Sequence, residues 1–235
     1  MIKWAGISNE DVGMIVEHYP KVIVPTRKIE TIKVPGRNGN ILLDDGSFEN
    51  YNQEYSVFLD VKHVGGLEAA MPTIIDWLLG HSGYQRLEDS YFPDVYRMAS
   101  YAGGSQFVSV FNEYGEGVLT FNCCPEKFFK IGERAITLSK NQKVINPTLF
   151  TAKPLYKLKG SGTCRMTVNG TEVTVNNVSE YVMIDAAARR VYKDTTRLNN
   201  NFVGEFESLY LGKENVITWR GGTTGIELIP RWWTI

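Results

Sequence analysis

The stretch Cys164-Arg165-Met166-Thr167-Val168-Asn169-Gly170-Thr171-Glu172-Val173-Thr174-Val175 decides the fold class. Cys164, Met166 and Val168 alternate with polar residues and so share one face of a strand. Val173 and Val175 repeat the pattern beyond Asn169-Gly170. Asn-Gly supplies the positive φ angles of a two-residue hairpin turn, so the stretch predicts two antiparallel strands. Onward from it, residues 181–185, 190–192, 205–211, 216–219 and 226–229 read as further short strands separated by turns. Ala186-Ala187-Ala188 is too short to stand as a helix. Gly160-Ser161-Gly162 reads as a turn, and Gly103-Gly104 and Gly221-Gly222 as turns or bulges. Many short strands at this spacing indicate a sandwich.

Upstream, Gly132-Glu133-Arg134 through Asn141-Gln142-Lys143 is polar and reads as a linker. The expected division is a first domain over 1–132 and a second over 133–235. The first is also strand-rich. Residues 29–34 form a β-branched run closing on Pro35-Gly36, and Ile41-Leu42-Leu43 resumes after Asn38-Gly39. Pro35-Gly36-Arg37-Asn38-Gly39 is therefore a strand connection, with Asn-Gly as its tight turn. Tyr55, Val57, Leu59 and Val61 alternate along one strand, and Phe107, Ser109 and Phe111 alternate against Val108 and Val110. A strand over 118–121 follows a turn at Gly115-Glu116-Gly117. Leu67, Ala70, Met71, Ile74 and Leu78 repeat at helical steps, with Gly80 as the stop. Pro72 predicts that this helix starts there or breaks there. The fold class is mainly β: an N-terminal barrel- or sandwich-like domain with one helix, then a β-sandwich.

The 235 residues, 43% hydrophobic and 22% charged, suffice for two cores. The net charge of -1 argues against a double-stranded nucleic-acid binder, which needs a cationic surplus. No stretch approaches the ~18 consecutive apolar residues of a membrane span. Met1-Ile2-Lys3-Trp4-Ala5-Gly6 lacks the basic region and apolar run of a signal peptide, so use without Sec export is expected. Cys123, Cys124 and Cys164 are an odd set and a poor disulfide framework; one of the adjacent pair is expected in the core.

Residues that could carry chemistry do not cluster. His18, His63 and His81 are scattered, and there is no C-x-x-C, H-E-x-x-H, nucleophile elbow, Walker A or dinucleotide motif. Asp44-Asp45 and Glu88-Asp89 are adjacent carboxylates, which on a strand or turn point apart. No catalytic residue, cofactor or metal is expected, and the chain reads as a non-enzymatic building block. The aromatic residues Trp219, Trp232 and Trp233 fit a core, a subunit interface or a sugar-binding face. Only one of Trp232 and Trp233 can point inward from a strand, which makes the pair candidate interface aromatics.

One ordered set of motifs is informative. It runs from Trp4-x-Gly6, through Pro35-Gly36-Arg37-Asn38-Gly39, Trp77-Leu78 and Gly83-Tyr84-Gln85-Arg86-Leu87, to Phe92-Pro93-Asp94-Val95-Tyr96. Phe121-Asn122-Cys123-Cys124-Pro125 and Leu211-Gly212-x-x-Asn215-Val216-Ile217-x-Trp219 complete it. The set spans nearly the whole chain and resembles the distal tail protein (Dit) family, the tail and baseplate hub of siphophages that infect Gram-positive bacteria. The resemblance implies a homo-hexameric ring formed by the N-terminal domains, with galectin-like sandwiches as the C-terminal domains. It implies as partners the tail-tube protein, the tail-associated (tail-spike) hub protein and, in some phages, a receptor-binding protein. DNA would cross the ring without specific binding. The protein would be assembled in the host cytoplasm and reside at the virion tail tip, with no membrane partner. A closed ring needs a heterologous interface. The loop of Pro35, Gly36, Arg37, Asn38 and Gly39 is the candidate contact with a subunit or neighbour, since Arg offers a planar five-donor fork. The alternatives are a carbohydrate-binding sandwich protein and a different tail component.

Overall fold

The computed structural model describes residues 1–111 and 113–235. The chain is mainly β and divides into two compact units, Met1–Lys127 with Ile235, and Phe128–Thr234.

The first unit begins with β1 (Ile2–Trp4), β2 (Ile7–Ser8) and β3 (Met14–Val16), followed by β4 (Arg27–Ile32) and β5 (Ile41–Phe48). Then come β6 (Tyr51–Asp60), α1 (Leu67–Leu79), β7 (Gln85–Asp89), β8 (Val95–Ser100), β9 (Phe107–Val110) and β10 (Tyr114–Phe129), whose last two residues lie in the second unit. One sheet runs in the order β2-β1-β7-β8-β10-β6-β3, with β9 also on β10; β4 and β5 form a separate two-stranded ribbon. The alternation read over 55–61 holds: Tyr55, Val57, Leu59 and Val61 are buried, joined in one core by Trp4, Leu87, Leu119, Phe121 and Cys123. Helix α1 adds Leu67, Ile74, Trp77 and Leu78 to that core. Phe121 sits amid rings, 5.0 Å from Trp4, 5.4 Å from Tyr101 and 6.0 Å from Tyr55 between centroids.

Four expectations need correction in this unit. Helix α1 neither starts nor breaks at Pro72 but runs through it from Leu67, its apolar face outweighing one missing backbone bond. Gly115-Glu116-Gly117 is not a turn but lies inside β10. Its glycines serve close packing: a Cβ at Gly115 would lie 2.8 Å from Leu67 Cδ1, and one at Gly117 would lie 2.7 Å from Phe107 Cδ1. The alternation expected over 107–111 fails, because β9 ends at Val110 and Phe111 turns out with φ 53°. The tight turn after β4 belongs to Val34-Pro35-Gly36-Arg37 and not to Asn38-Gly39. The Arg37 N–H donates to Val34 O at 3.3 Å, and Gly36 takes φ 78° behind the proline.

The second unit contains β11 (Ile136–Thr137), β12 (Gln142–Ile145), β13 (Leu155–Val168), β14 (Thr171–Asp185), β15 (Arg190–Lys193), β16 (Thr196–Arg197), β17 (Phe202–Val203), β18 (Glu214–Ile229) and β19 (Trp233–Thr234). The main path is β11-β18-β13-β14-β15-β16, with β12 on β18 and β17 on β14. The deciding hairpin forms as read: Val168 pairs with Thr171, and Asn169 and Gly170 take φ 50° and 88°. Its inward residues Cys164, Met166, Val168, Val173 and Val175 join Tyr156, Val182, Ile184, Ile217 and Leu228 in the core.

Here too the sequence reading cut long strands into short ones. Gly160-Ser161-Gly162 is not a turn: it is an irregularity inside β13, facing Gly221-Gly222 inside β18, where the pairing register shifts. A Cβ at Gly222 would lie 1.8 Å from Ser161 O, and one at Gly160 would lie 2.3 Å from Gly222 O, so glycine alone lets the two backbones approach. The stretch read as a linker carries β11 and β12, both paired with β18. Residues read as a strand over 205–211 instead hold a 3-10 turn, Phe206–Leu209, whose start is fixed by Ser208 Oγ–H donating to Glu205 O at 2.6 Å.

Candidate assembly surface

The ribbon of β4 and β5 is built locally. Ile32 pairs with Ile41, Thr31 with Leu42, Glu30 with Leu43 and Ile29 with Asp44. Arg27 Nη1 donates to Asp44 Oδ2 at 2.9 Å, and its guanidinium lies 4.8 Å from the centre of the Phe48 ring. The Asp44-Asp45 pair shapes the bend before Ser47: the Gly46 N–H donates to Asp44 Oδ1 and the Ser47 N–H to Asp45 Oδ1, each at 2.8 Å. Hydrogen bonds from Ser47 hold the Asp45 carboxyl below its ordinary pKa, as expected of a turn acceptor.

What the ribbon lacks is a covered face. Every β4 residue is exposed, and no β5 residue is buried. Ile32, Ile41 and Leu43 share one face by register, while Ile29 and Leu42 share the other. Leu42 is 62% exposed and Leu43 is 49% exposed. The segment leading in adds exposed Tyr19, Val22 and Val24. A two-stranded ribbon is at best marginal alone in water, and contiguous exposed apolar groups mark interaction surfaces. The five residues Pro35, Gly36, Arg37, Asn38 and Gly39 all lie exposed at its tip, and the Arg37 guanidinium makes no hydrogen bond or ion pair among the described residues.

The candidate tryptophans differ from each other. Trp232 is 5% exposed and belongs to the core of the second unit, against Gly132, where a Cβ would lie 2.5 Å from the Trp232 nitrogen. Trp233 is half-buried; its ring lies 4.7 Å from Phe150 and its Nε1–H donates to Thr151 O at 3.0 Å. Of the pair, Trp233 keeps the accessible ring. Cys123 is buried, Cys124 half-buried and Cys164 buried, all as free thiols. Burial pushes the Cys123 pKa up to about 12.

The sequence reading missed a buried polar network beneath the sheet of the first unit. Asp89 Oδ2 accepts from Arg97 Nη1 at 2.6 Å and from Tyr55 Oη at 2.9 Å. Asp89 Oδ1 accepts the N–H groups of Phe92 at 2.7 Å and Tyr91 at 3.1 Å, and Arg97 Nε donates to Tyr51 Oη at 3.0 Å. The Arg97 and Asp89 side chains are 2% and 0% exposed. Burial pushes the Tyr51 phenol up to about 12 and Tyr55 higher still, so both stay protonated, Tyr55 donating to Asp89 and Tyr51 accepting from Arg97. The network pins the turn into Phe92-Pro93-Asp94-Val95-Tyr96. Its signal was the period-two placement of Arg97 between Val95 and Ala99, an inward position on β8. Glu88-Asp89 is thus a structural pair, with Glu88 turned outward to Arg86 at 2.6 Å. His18, His63 and His81 stay apart, and no group of three or more potential ligands could hold a metal among the described residues.

No protein-family model matches the sequence, and no curated protein matches it. Among solved structures, the chain is similar to the SPP1 Dit protein (gp 19.1), described as a paradigm of the hub adsorption apparatus in phages infecting Gram-positive hosts. That likeness has a TM-score of 0.74 at 12% identity and covers 100% of this chain and 98% of the other. The baseplate of phage P2 in its activated conformation with calcium follows, with a TM-score of 0.50 at 11% identity over 92% of this chain and 89% of the other. Across its whole length, in both units, the chain has the fold of a phage distal tail hub protein.

Proposed function

We propose that this chain is the structural, non-enzymatic hub of a long non-contractile phage tail tip. In this reading six copies close into a ring that joins the tail tube to the tail-associated hub protein and, in some tails, carries receptor-binding components. The first unit forms the ring, and the second is a galectin-like sandwich. DNA passes the ring without specific contacts, which suits a net charge of -1. Assembly takes place in the host cytoplasm and the product resides in the virion.

The whole-chain likeness to a hub protein, end to end and through both units, supports this reading most. The uncovered ribbon supports it independently, because a closed ring needs a patch on each copy that meets a different patch on the next. Strand edges and the Arg37 fork supply such a patch. Trp233 is a second, smaller candidate contact.

Light scattering followed by negative-stain imaging of the purified protein tests the reading, alone and mixed with its tail-associated partner. Six-membered rings with an open centre are expected. Monomers under both conditions would overturn it. Arg37→Ala is expected to weaken ring assembly and phage yield while leaving the fold intact by circular dichroism; unchanged assembly would remove the loop from the interface.

A further inference from the structure

The edge of the second unit's sheet carries a hollow that the hub role does not use. Its volume is about 530 Å³, and its lining includes Asp185, Arg190, Tyr192, Asp194, Thr195 and Arg197. That size falls in the range of about 300–1,000 Å³ typical of small-molecule sites. Register fixes the layout. Asp185 pairs with Arg190, Met183 with Tyr192, and Tyr192 with Arg197, so Arg190, Tyr192 and Arg197 share one face. Val191, between them, points the other way and is fully buried, which anchors β15 and leaves that face to solvent. The two-residue tip Asp194-Thr195, between Lys193 and Thr196, forms one wall.

The charges in the hollow are not all matched. Asp185 is held by Arg231 at 2.7 and 3.0 Å and by the N–H groups of Ala187 and Ala188 at 3.0 Å. Asp194 accepts the Tyr181 hydroxyl. The remaining basic neighbour, Lys193, is taken by Glu180 at 2.8 Å. The Arg190 and Arg197 guanidinium groups make no hydrogen bond or ion pair among the described residues. Two exposed guanidinium forks at a cross-strand diagonal, about 7–8 Å apart at Cα, are placed to converge on one anion. Tyr192 stands on the same face, two residues from Arg190 and directly opposite Arg197, and an aromatic face suits the apolar side of a sugar ring.

We propose that this hollow binds an anionic saccharide, a hydroxylated ring bearing a phosphate or carboxylate. Arg190 and Arg197 clamp the anion in bidentate fashion, Tyr192 packs under the ring, and Asp194 and Thr195 accept hydroxyl hydrogen bonds. The site differs from the tryptophan face that the sequence suggested for sugar, and it does not rest on the hub reading.

The test uses the full-length protein and NMR chemical-shift mapping with glucose 6-phosphate, glucuronic acid, glucose and inorganic phosphate. Glucose 6-phosphate or glucuronic acid is expected to shift the amides of 185–197 saturably, at least tenfold more tightly than glucose. R190Q/R197Q is expected to weaken that binding by about tenfold or more, as for loss of charge-assisted pairs, with unchanged thermal melting. Y192A is expected to weaken both anionic sugars while sparing inorganic phosphate. Equal binding of glucose would overturn the anionic clamp. Inorganic phosphate binding as tightly as glucose 6-phosphate would overturn the saccharide, and unshifted 185–197 amides with either anionic sugar would overturn the site.

Discussion

Two hairpins in this chain begin from the same sequence signal and end in opposite environments. The β13–β14 hairpin and the β4–β5 ribbon each join β-branched runs through a glycine with positive φ, Gly170 at 88° and Gly36 at 78°. In the first, Cys164, Met166, Val168, Val173 and Val175 fall on one face and are at most 2% exposed. In the second, the apolar groups fall on both faces, and neither is covered. Turn chemistry therefore specifies where a chain reverses. The distribution of apolar groups between faces specifies whether the chain itself supplies the cover. A ribbon that carries exposed apolar groups on both sides is the surface proposed here for contact with a neighbour.

The comparison can be broken by mutation, with the largest contrast expected between two arginine–aspartate pairs of the first unit. Arg97→Ala strands the buried Asp89 carboxylate and is expected to lower stability by about 3–5 kcal/mol in urea unfolding. The equivalent change in the ribbon's exposed pair, Arg27→Ala, is expected to cost less than about 1 kcal/mol. Equal costs would mean that the ribbon is part of the unit's cooperative fold. Next in size, Met166→Ala removes a core side chain and is expected to cost about 2–5 kcal/mol. Leu42→Ala is expected to change monomer stability by no more than about 0.5 kcal/mol while reducing ring formation. A stability loss for Leu42→Ala matching that of Met166→Ala would remove the distinction between covered and uncovered hairpins.

The smallest effect sharpens the contrast most, because the geometry is matched. Neither Gly170 nor Gly36 has an atom within 4 Å of an added Cβ, so alanine meets only the left-handed backbone penalty at each, about 1–2 kcal/mol. That penalty is expected in the unfolding free energy for Gly170→Ala, since the hairpin folds with its core. For Gly36→Ala it is expected only in ring assembly, if the ribbon tip makes the proposed contact with a neighbour. A loss of monomer stability in both would contradict this.

Much of the architecture was legible, and several of the misses share a cause. Period-two alternation found the inward faces of β6, β13 and β14, and helical spacing found α1, because burial of one face writes itself into composition. Three of the failures came at glycines. Gly115-Glu116-Gly117, Gly160-Ser161-Gly162 and the polar run after Gly132 looked like turns or linker, yet Gly115, Gly117, Gly132 and Gly160 each mark a place where other atoms crowd the chain, and only Gly162, with φ 71° and open space beside it, serves its backbone angle. Local sequence cannot distinguish a glycine needed for its φ from one needed for its missing side chain. The Asp89–Arg97 pair escaped for a different reason. Its partners come from β6, β7 and β8, and only the folded sheet brings Tyr51, Tyr55, Asp89 and Arg97 together. The ribbon's place in the sequence was legible from Pro35-Gly36, but its exposure was not, because nothing local records that no strand among the described residues lies over it.

The paired irregularities of β13 and β18 have a consequence for how this protein can vary. Most of the outward positions on those two strands can be rewritten, since exposed pairs such as Arg220–Glu172 contribute little to stability. At Gly160 and Gly222 the space where a side chain would begin is already filled by the opposite strand's carbonyl oxygen, at 2.3 and 1.8 Å. Even alanine is barred there. However far the rest of the sequence drifts, these two gaps must stay empty, or the bend they allow must be rebuilt from both strands at once.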